Sequence, residues 1–156
     1  MSLPARAPAA YAAVMATDLD PKLEAILRAG KLGLLATIRR SGRPQLSMVI
    51  YAYDPQQHTI RVSVTADRAK TRNLLRDPRA TFQVQGESPW SYVVADCNAE
   101  LGPVTEQPGD AGSEELVELY RTISGEHDDW DEYRAAMVKE QRQVLTLQVT
   151  HLYGQG

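Results

Sequence analysis

The chain has 156 residues, 43% of them hydrophobic, a formal net charge of −3 and one cysteine, Cys97. That composition suits one domain around one core, excludes a disulfide within the chain and gives no sign of a Cys-rich zinc site, so a reducing, cytoplasmic setting fits. The charge is divided: residues 1–86 carry 13 basic and 6 acidic side chains, residues 87–156 carry 4 and 14. A duplex nucleic-acid binder usually shows a dominant basic face, so this division points to a local anion site or to pairing of opposite surfaces, with no nucleic-acid partner. No apolar run approaches the roughly 20 residues that cross a bilayer, and no membrane partner is expected.

Residues 1–17, rich in Ala and Pro, lack an uninterrupted apolar signal core and read as a flexible tail before a domain spanning 18–156. Asp20-Pro21 through Gly30 reads as a short helix, capped by Asp, with Pro in its first turn, Leu23, Ile26 and Leu27 as its apolar stripe and Gly at its stop. Strand-like runs follow at Leu32–Arg39, Gln45–Tyr53 and Thr59–Thr65, divided by Ser41-Gly42-Arg43-Pro44 and Asp54-Pro55. Alternation in the third run puts Ile60, Val62 and Val64 on one face and Arg61, Ser63 and Thr65 on the other.

Asp67–Asp77 reads as a helix with Leu74 and Leu75 inward, followed by strands at Arg79–Gln85 and Trp90–Leu101. Glu114–Ser124 and Asp129–Gln141 have helical spacing, with Leu116, Leu119, Tyr120 and Ile123 on one stripe and Tyr133 and Met137 on the next. Val144–His151 alternates as a closing strand. The expected fold is mainly β, of the α+β class: six antiparallel strands in a closed or partly closed barrel, since closure removes exposed edges, with peripheral helices.

One segment breaks a local rule. Arg68 and Lys70 fall in the first turn of their helix, where the backbone already carries partial positive charge and a cation is disfavoured by roughly 0.3–1 kcal/mol. Violations of this kind tend to mark function. Free backbone N–H groups, Arg68, Lys70 and the Thr71 hydroxyl would suit a phosphate. The alternative is a solvated stripe of Arg68, Arg72 and Arg76 countered by Asp67 and Asp77. His58, His127 and His151 lack metal-ligand spacing, so no metal site is expected; Ser47, Ser63 and Ser91 lack a Gly-x-Ser-x-Gly context, and no Gly-x-Gly-x-x-Gly occurs.

Leu34-Leu35-Ala36-Thr37, Gly42-Arg43-Pro44-Gln45-Leu46-Ser47, Arg68-Ala69-Lys70-Thr71-Arg72-Asn73-Leu74, Asp77-Pro78-Arg79-Ala80 and Trp90-Ser91-Tyr92, in that order and spacing, resemble the pyridoxamine-phosphate-oxidase-like superfamily. Leu119-Tyr120-Arg121, Gly125-Glu126-His127, Asp129-Trp130-Asp131 and Tyr133-Arg134 make the chain most similar to its actinobacterial F420-dependent branch. The resemblance implies a split β-barrel homodimer with cofactor grooves between subunits, and hydride transfer from reduced F420 to a small-molecule acceptor. It implies that Arg68, Lys70, Thr71 and Asn73 hold the cofactor phosphate beside Ser63, while Gln45, Ser47 and the Val49 backbone line the ring. Trp90 and Ser91 would complete the groove from the partner subunit. The same fold also admits FMN as cofactor, or a protein that binds without turnover. Arg39, Arg40 and Arg43 are candidates for the glutamate tail of F420. No catalytic acid is assigned.

Overall fold

A computed structural model describes residues 19–156, so the expected tail, residues 1–17, lies outside the described residues. Helix α1 (Pro21–Ala29) begins as the sequence dictates: the Asp20 carboxylate accepts from the backbone N–H groups of Lys22 and Leu23, and Leu23 and Leu27 are buried. Strands β1 (Leu32–Ile38), β2 (Pro44–Ile50), β3 (Ala52–Asp54) and β4 (Thr59–Thr65) follow. Then come α2 (Ala69–Arg76), β5 (Arg79–Gln85), β6 (Tyr92–Leu101), α3 (Ala111–Ser124), α4 (Trp130–Lys139) and β7 (Arg142–Gln155).

The sheet has seven strands in the order β2-β1-β5-β6-β7-β4-β3, antiparallel throughout. The expected six become seven because Gln45–Tyr53 changes partner midway. Pro44–Ile50 pairs with β1, whereas Ala52–Asp54 pairs with β4 at the other margin. Tyr51 alone joins them, so the two outermost strands meet at one corner and the sheet must curl. That corner is pinned: Tyr51 is 3% exposed, its hydroxyl donates to the Leu27 carbonyl at 2.7 Å, and its ring meets Phe82 edge-on. At Gly33 a methyl group would collide with the Phe82 ring, so the bare backbone lets that ring lie across β1.

Inside the curl, Leu35, Ile60, Val62, Phe82, Leu145 and Leu147 form a core. A second, smaller cluster joins Leu116 and Leu119 of α3 to Val144 and Ala52, with Tyr133 and Met137 of α4 packed against it, along the predicted stripes. Strand β7 is longer than predicted and carries a bulge, since Asp96 faces His151 while Cys97 faces Val149, leaving Thr150 extra. No helix among the described residues is long and apolar enough to cross a membrane.

Two local expectations fail. Leu75 is 55% exposed, because at about 100° per residue the inward face of α2 is taken by Thr71, Asn73 and Leu74. Trp90 and Ser91 precede β6 in a turn closed by the Gly86 N–H donating to the Ser91 carbonyl at 2.7 Å. Pro89, which has no N–H for a ladder, ends the strand reading there.

Candidate functional site

Helix α2 starts directly after β4, and its first turn is unusual. Arg68 occupies the N-cap with extended backbone, no side chain caps the turn, and no acidic residue lies within it. The backbone N–H groups of Ala69, Lys70 and Thr71 consequently have no acceptor among the described residues. Arg68, Lys70 and Arg72 make no ion pair among those residues either.

Facing this turn is the junction of α4 and β7. Thr65 pairs with Arg142 across the β4–β7 ladder, and the Ala66 N–H donates to the Gln141 carbonyl at 3.0 Å. Arg68 and Arg72 therefore line the same groove as Lys139 and Arg142, a polar cleft of about 810 Å³ that Thr65, Asp67 and Glu140 also border. Glu140 holds Arg142 at 2.8 Å, and Arg142 also donates to the Ser63 carbonyl. Burial, and then the neighbouring charges of Arg68 and Arg142, lower the pKa of the Lys70 ammonium. Cations crowded where N–H groups are free favour an anion.

Of the remaining predicted residues, Ser63, Thr71, Asn73, Gln45, Ser47 and Val49 lie beside this groove or along the seam next to it. Ser63 lies half-buried on the face of β4 that also carries Thr65. Thr71 is buried, and its hydroxyl donates to the Thr65 carbonyl at 2.8 Å, fastening helix to strand. Asn73 is buried as well; its Nδ2 donates to Thr37 Oγ1 at 3.0 Å, and its Oδ1 accepts from Arg76 at 3.1 Å. Thr37 Oγ1 in turn donates to Gln45 Oε1 at 2.8 Å, so Asn73 and Gln45 belong to one network. Ser47 and Val49 follow Gln45 on the same face of β2; Val49 is buried, and the buried Ser47 Oγ is the one such atom without a hydrogen-bond partner among the described residues.

Trp90 and Ser91 are not brought to this place. Since Leu34 pairs with Gln83 and Thr37 with Gln45, the β5–β6 turn lies beyond the opposite end of β1, where Trp90 is 77% exposed. Arg39 and Arg40 border a second cleft with Arg76 and Asp77, on the other end of α2; Arg43 does not border it. Lys139 and Arg142 were not singled out in the sequence, and Thr37 stood there only as part of the Leu34–Thr37 motif, with no site role. Lys139 and Arg142 did leave a signal, being two of the four basic residues in the otherwise acidic second half.

The outward face of β1 and β2 is apolar and bare: Leu32, Leu46, Met48 and Ile50 are each more than half exposed. The family model described as pyridoxamine 5'-phosphate oxidase matches residues 19–156. Among solved structures, the chain is similar to an F420 reductase, with 20% identity over 86% of this chain and 98% of that one, at a TM-score of 0.65. A conserved hypothetical protein from Mycobacterium tuberculosis aligns with 22% identity over 88% and 90%, TM-score 0.63. A FAD-binding protein from Mesorhizobium loti aligns with 21% identity over 86% and 92%, TM-score 0.62. These three share its fold.

Proposed function

The chain belongs to the pyridoxamine 5'-phosphate oxidase family, and on that premise we propose that it is a homodimeric F420-dependent reductase acting on an unsaturated or oxidised small molecule. The observation that carries this reading is the uncapped first turn of α2, with Arg68 and Arg72 lining one groove with Lys139 and Arg142, and Lys70 within reach of the Arg68 and Arg142 charges. The donor set fits a phosphate-bearing ring cofactor on two counts: cations and free N–H groups for the phosphate, and the unpartnered Ser47 hydroxyl beside Gln45 for a polar ring edge.

Arg68 and Lys70 hold the phosphate, assisted by the N–H groups of the first turn. Thr71 and Asn73 act differently from Arg68 and Lys70, because the Thr71 hydroxyl hydrogen goes to Thr65 and the Asn73 amide to Thr37. They lock the turn in position against β1 and β4. Ser63 sits beside the phosphate, while Gln45, Ser47 and the Val49 backbone orient the ring. The bound cofactor supplies the hydride chemistry, and the protein contributes binding, orientation and electrostatics.

The bare apolar face of β1 and β2 supports a second copy docking there, since soluble monomers seldom leave such a patch uncovered. Trp90, exposed and remote from its own groove, would then reach the partner's, together with Ser91. F420 carries a tail of glutamates, and the cleft formed with Arg39, Arg40 and Arg76 offers it a path. One observation favours FMN instead: several cations around one helix start suit a terminal phosphate, which is close to doubly charged at neutral pH.

Titrating the purified protein with FMN and with F420 tests the choice; a clear preference for FMN overturns F420. Reduced F420 offered with quinones, nitroaromatics, enones and tetrapyrroles tests turnover. Tight binding without oxidation across that panel would leave a protein that binds the cofactor and does not turn it over.

A further inference from the structure

A chain of hydrogen bonds runs from the solvent end of α2 to the strand proposed to face the ring. Arg76 donates to Asn73 Oδ1 at 3.1 Å, Asn73 Nδ2 donates to Thr37 Oγ1 at 3.0 Å, and Thr37 Oγ1 donates to Gln45 Oε1 at 2.8 Å. At its far end Gln45 Nε2 donates to the Leu46 carbonyl at 3.2 Å.

The polarity of this chain is fixed from both ends. A guanidinium has hydrogens to give and no lone pair to offer, so the atom of Asn73 that meets Arg76 is its oxygen, and the amide nitrogen turns to Thr37. Thr37 Oγ1, accepting there, spends its single hydrogen on Gln45, which therefore presents its oxygen to Thr37 and its NH2 the other way. Reversal would set the Asn73 NH2 against Arg76 and the Gln45 oxygen against the Leu46 carbonyl. Arg76 is itself anchored, donating to the Ile38 carbonyl at 2.7 Å. Thr37 is 1% exposed and Asn73 7%, so water does not compete along the middle of the chain.

We infer that Thr37 and Arg76 are positioning residues that hold Gln45 as a hydrogen-bond donor beside the unpartnered Ser47 hydroxyl, so that β2 selects a ring whose polar edge presents an acceptor to it. The inference rests on the ring-binding role proposed for Gln45 and Ser47. One of the two Gln45 amide hydrogens serves Leu46, and the second serves the ligand. Specificity follows from polarity: a ring bringing a donor to that point meets a donor. Neither Asn73 nor Thr37 needs to touch the ligand, and Arg76 acts on the ring only through them.

Two measurements separate this relay from the binding reading beneath it. In ligand-free protein, side-chain amide signals of Gln45 followed by NMR should move toward those of free glutamine in Thr37→Val and in Arg76→Met, and should stay near wild type in Thr37→Ser and Arg76→Lys. Signals unmoved in both Thr37→Val and Arg76→Met would overturn the relay whether or not a ligand binds. In titrations with FMN and with F420, Thr37→Val should weaken binding about fivefold, the scale of one neutral hydrogen bond, and should have no further effect when Gln45 is already Ala. An equal loss in both backgrounds makes Thr37 merely structural and overturns the inference. Wild-type protein that binds neither ring defeats the cofactor reading, and the amide signals still decide the relay.

Discussion

Helices α2 and α3 are built from the same chain under opposite rules. The Asp110 carboxylate at the head of α3 accepts from the N–H groups of Ser113, Glu106 and Gln107 and from the Thr105 hydroxyl, Glu114 sits in the first turn and Arg121 in the last. These bonds hold the Asp110 pKa well below the usual carboxylate range. At the head of α2 an arginine stands where that carboxylate would be, and nothing completes the turn. One helix is finished by its own sequence, and the other is left for the proposed cofactor to finish; a missing cap is informative when the rest of the chain caps correctly.

Charge reversal at the unfinished turn should break the contrast most sharply. Lys70→Glu is expected to weaken binding of FMN or F420 by roughly 2–4 kcal/mol, because it removes a charge-assisted hydrogen bond to the phosphate and puts a like charge beside it. Isothermal titration would measure it, and unchanged affinity would rule out the anion cradle. The counterpart is Asp110→Ala, which strips the cap from α3: the thermal midpoint should fall while cofactor affinity stays the same.

A subtler change makes the two helices alike. Arg68→Asp gives α2 the cap it lacks, and ligand-free stability in urea should rise by about 0.5–1 kcal/mol while affinity for FMN or F420 falls. Higher stability at the expense of binding is what a turn kept open for a ligand requires. A cap that stabilises and leaves affinity intact would mean the turn is uncapped for no functional reason.

The smallest effect concerns pH. The Lys70 pKa is lowered by burial and by Arg68 and Arg142, and a bound anion raises it again, so binding takes up a proton between the two values. Affinity should hold near neutrality and begin to fall, as pH rises, below the ordinary lysine range. Lys70→Arg, charged throughout, should remove that slope.

Local chemistry made much of this legible in advance. Asp20, Pro21 and Gly30 bracket α1, Asp129 caps α4 through the Glu132 N–H, and the alternation in Thr59–Thr65 matches its burial. The division of Gln45–Tyr53 was not legible, because the run contains no Gly or Pro to break it and the change of partner at Tyr51 is a tertiary event. Arg142 lies 79 residues beyond Ser63, and pairing of β4 with β7 is what brings it to the groove. Leu75 misled because inward positions on α2 went to polar Thr71 and Asn73, whose partners lie on other strands. Thr37, quoted only as the end of the Leu34–Thr37 motif, carried no site role in the sequence for the same reason.

Joining both margins of the sheet through Tyr51 has a consequence for rewiring the chain. New termini opened at that corner would cut the link between the two outermost strands and let the adjoining ends of β2 and β3 fray from β1 and β4, widening the open edges from which strand-to-strand aggregation could grow. Termini opened instead in the exposed turn at Gly109, where φ is +85° and no sheet pairing runs, would leave the Tyr51 link and every existing strand pair intact.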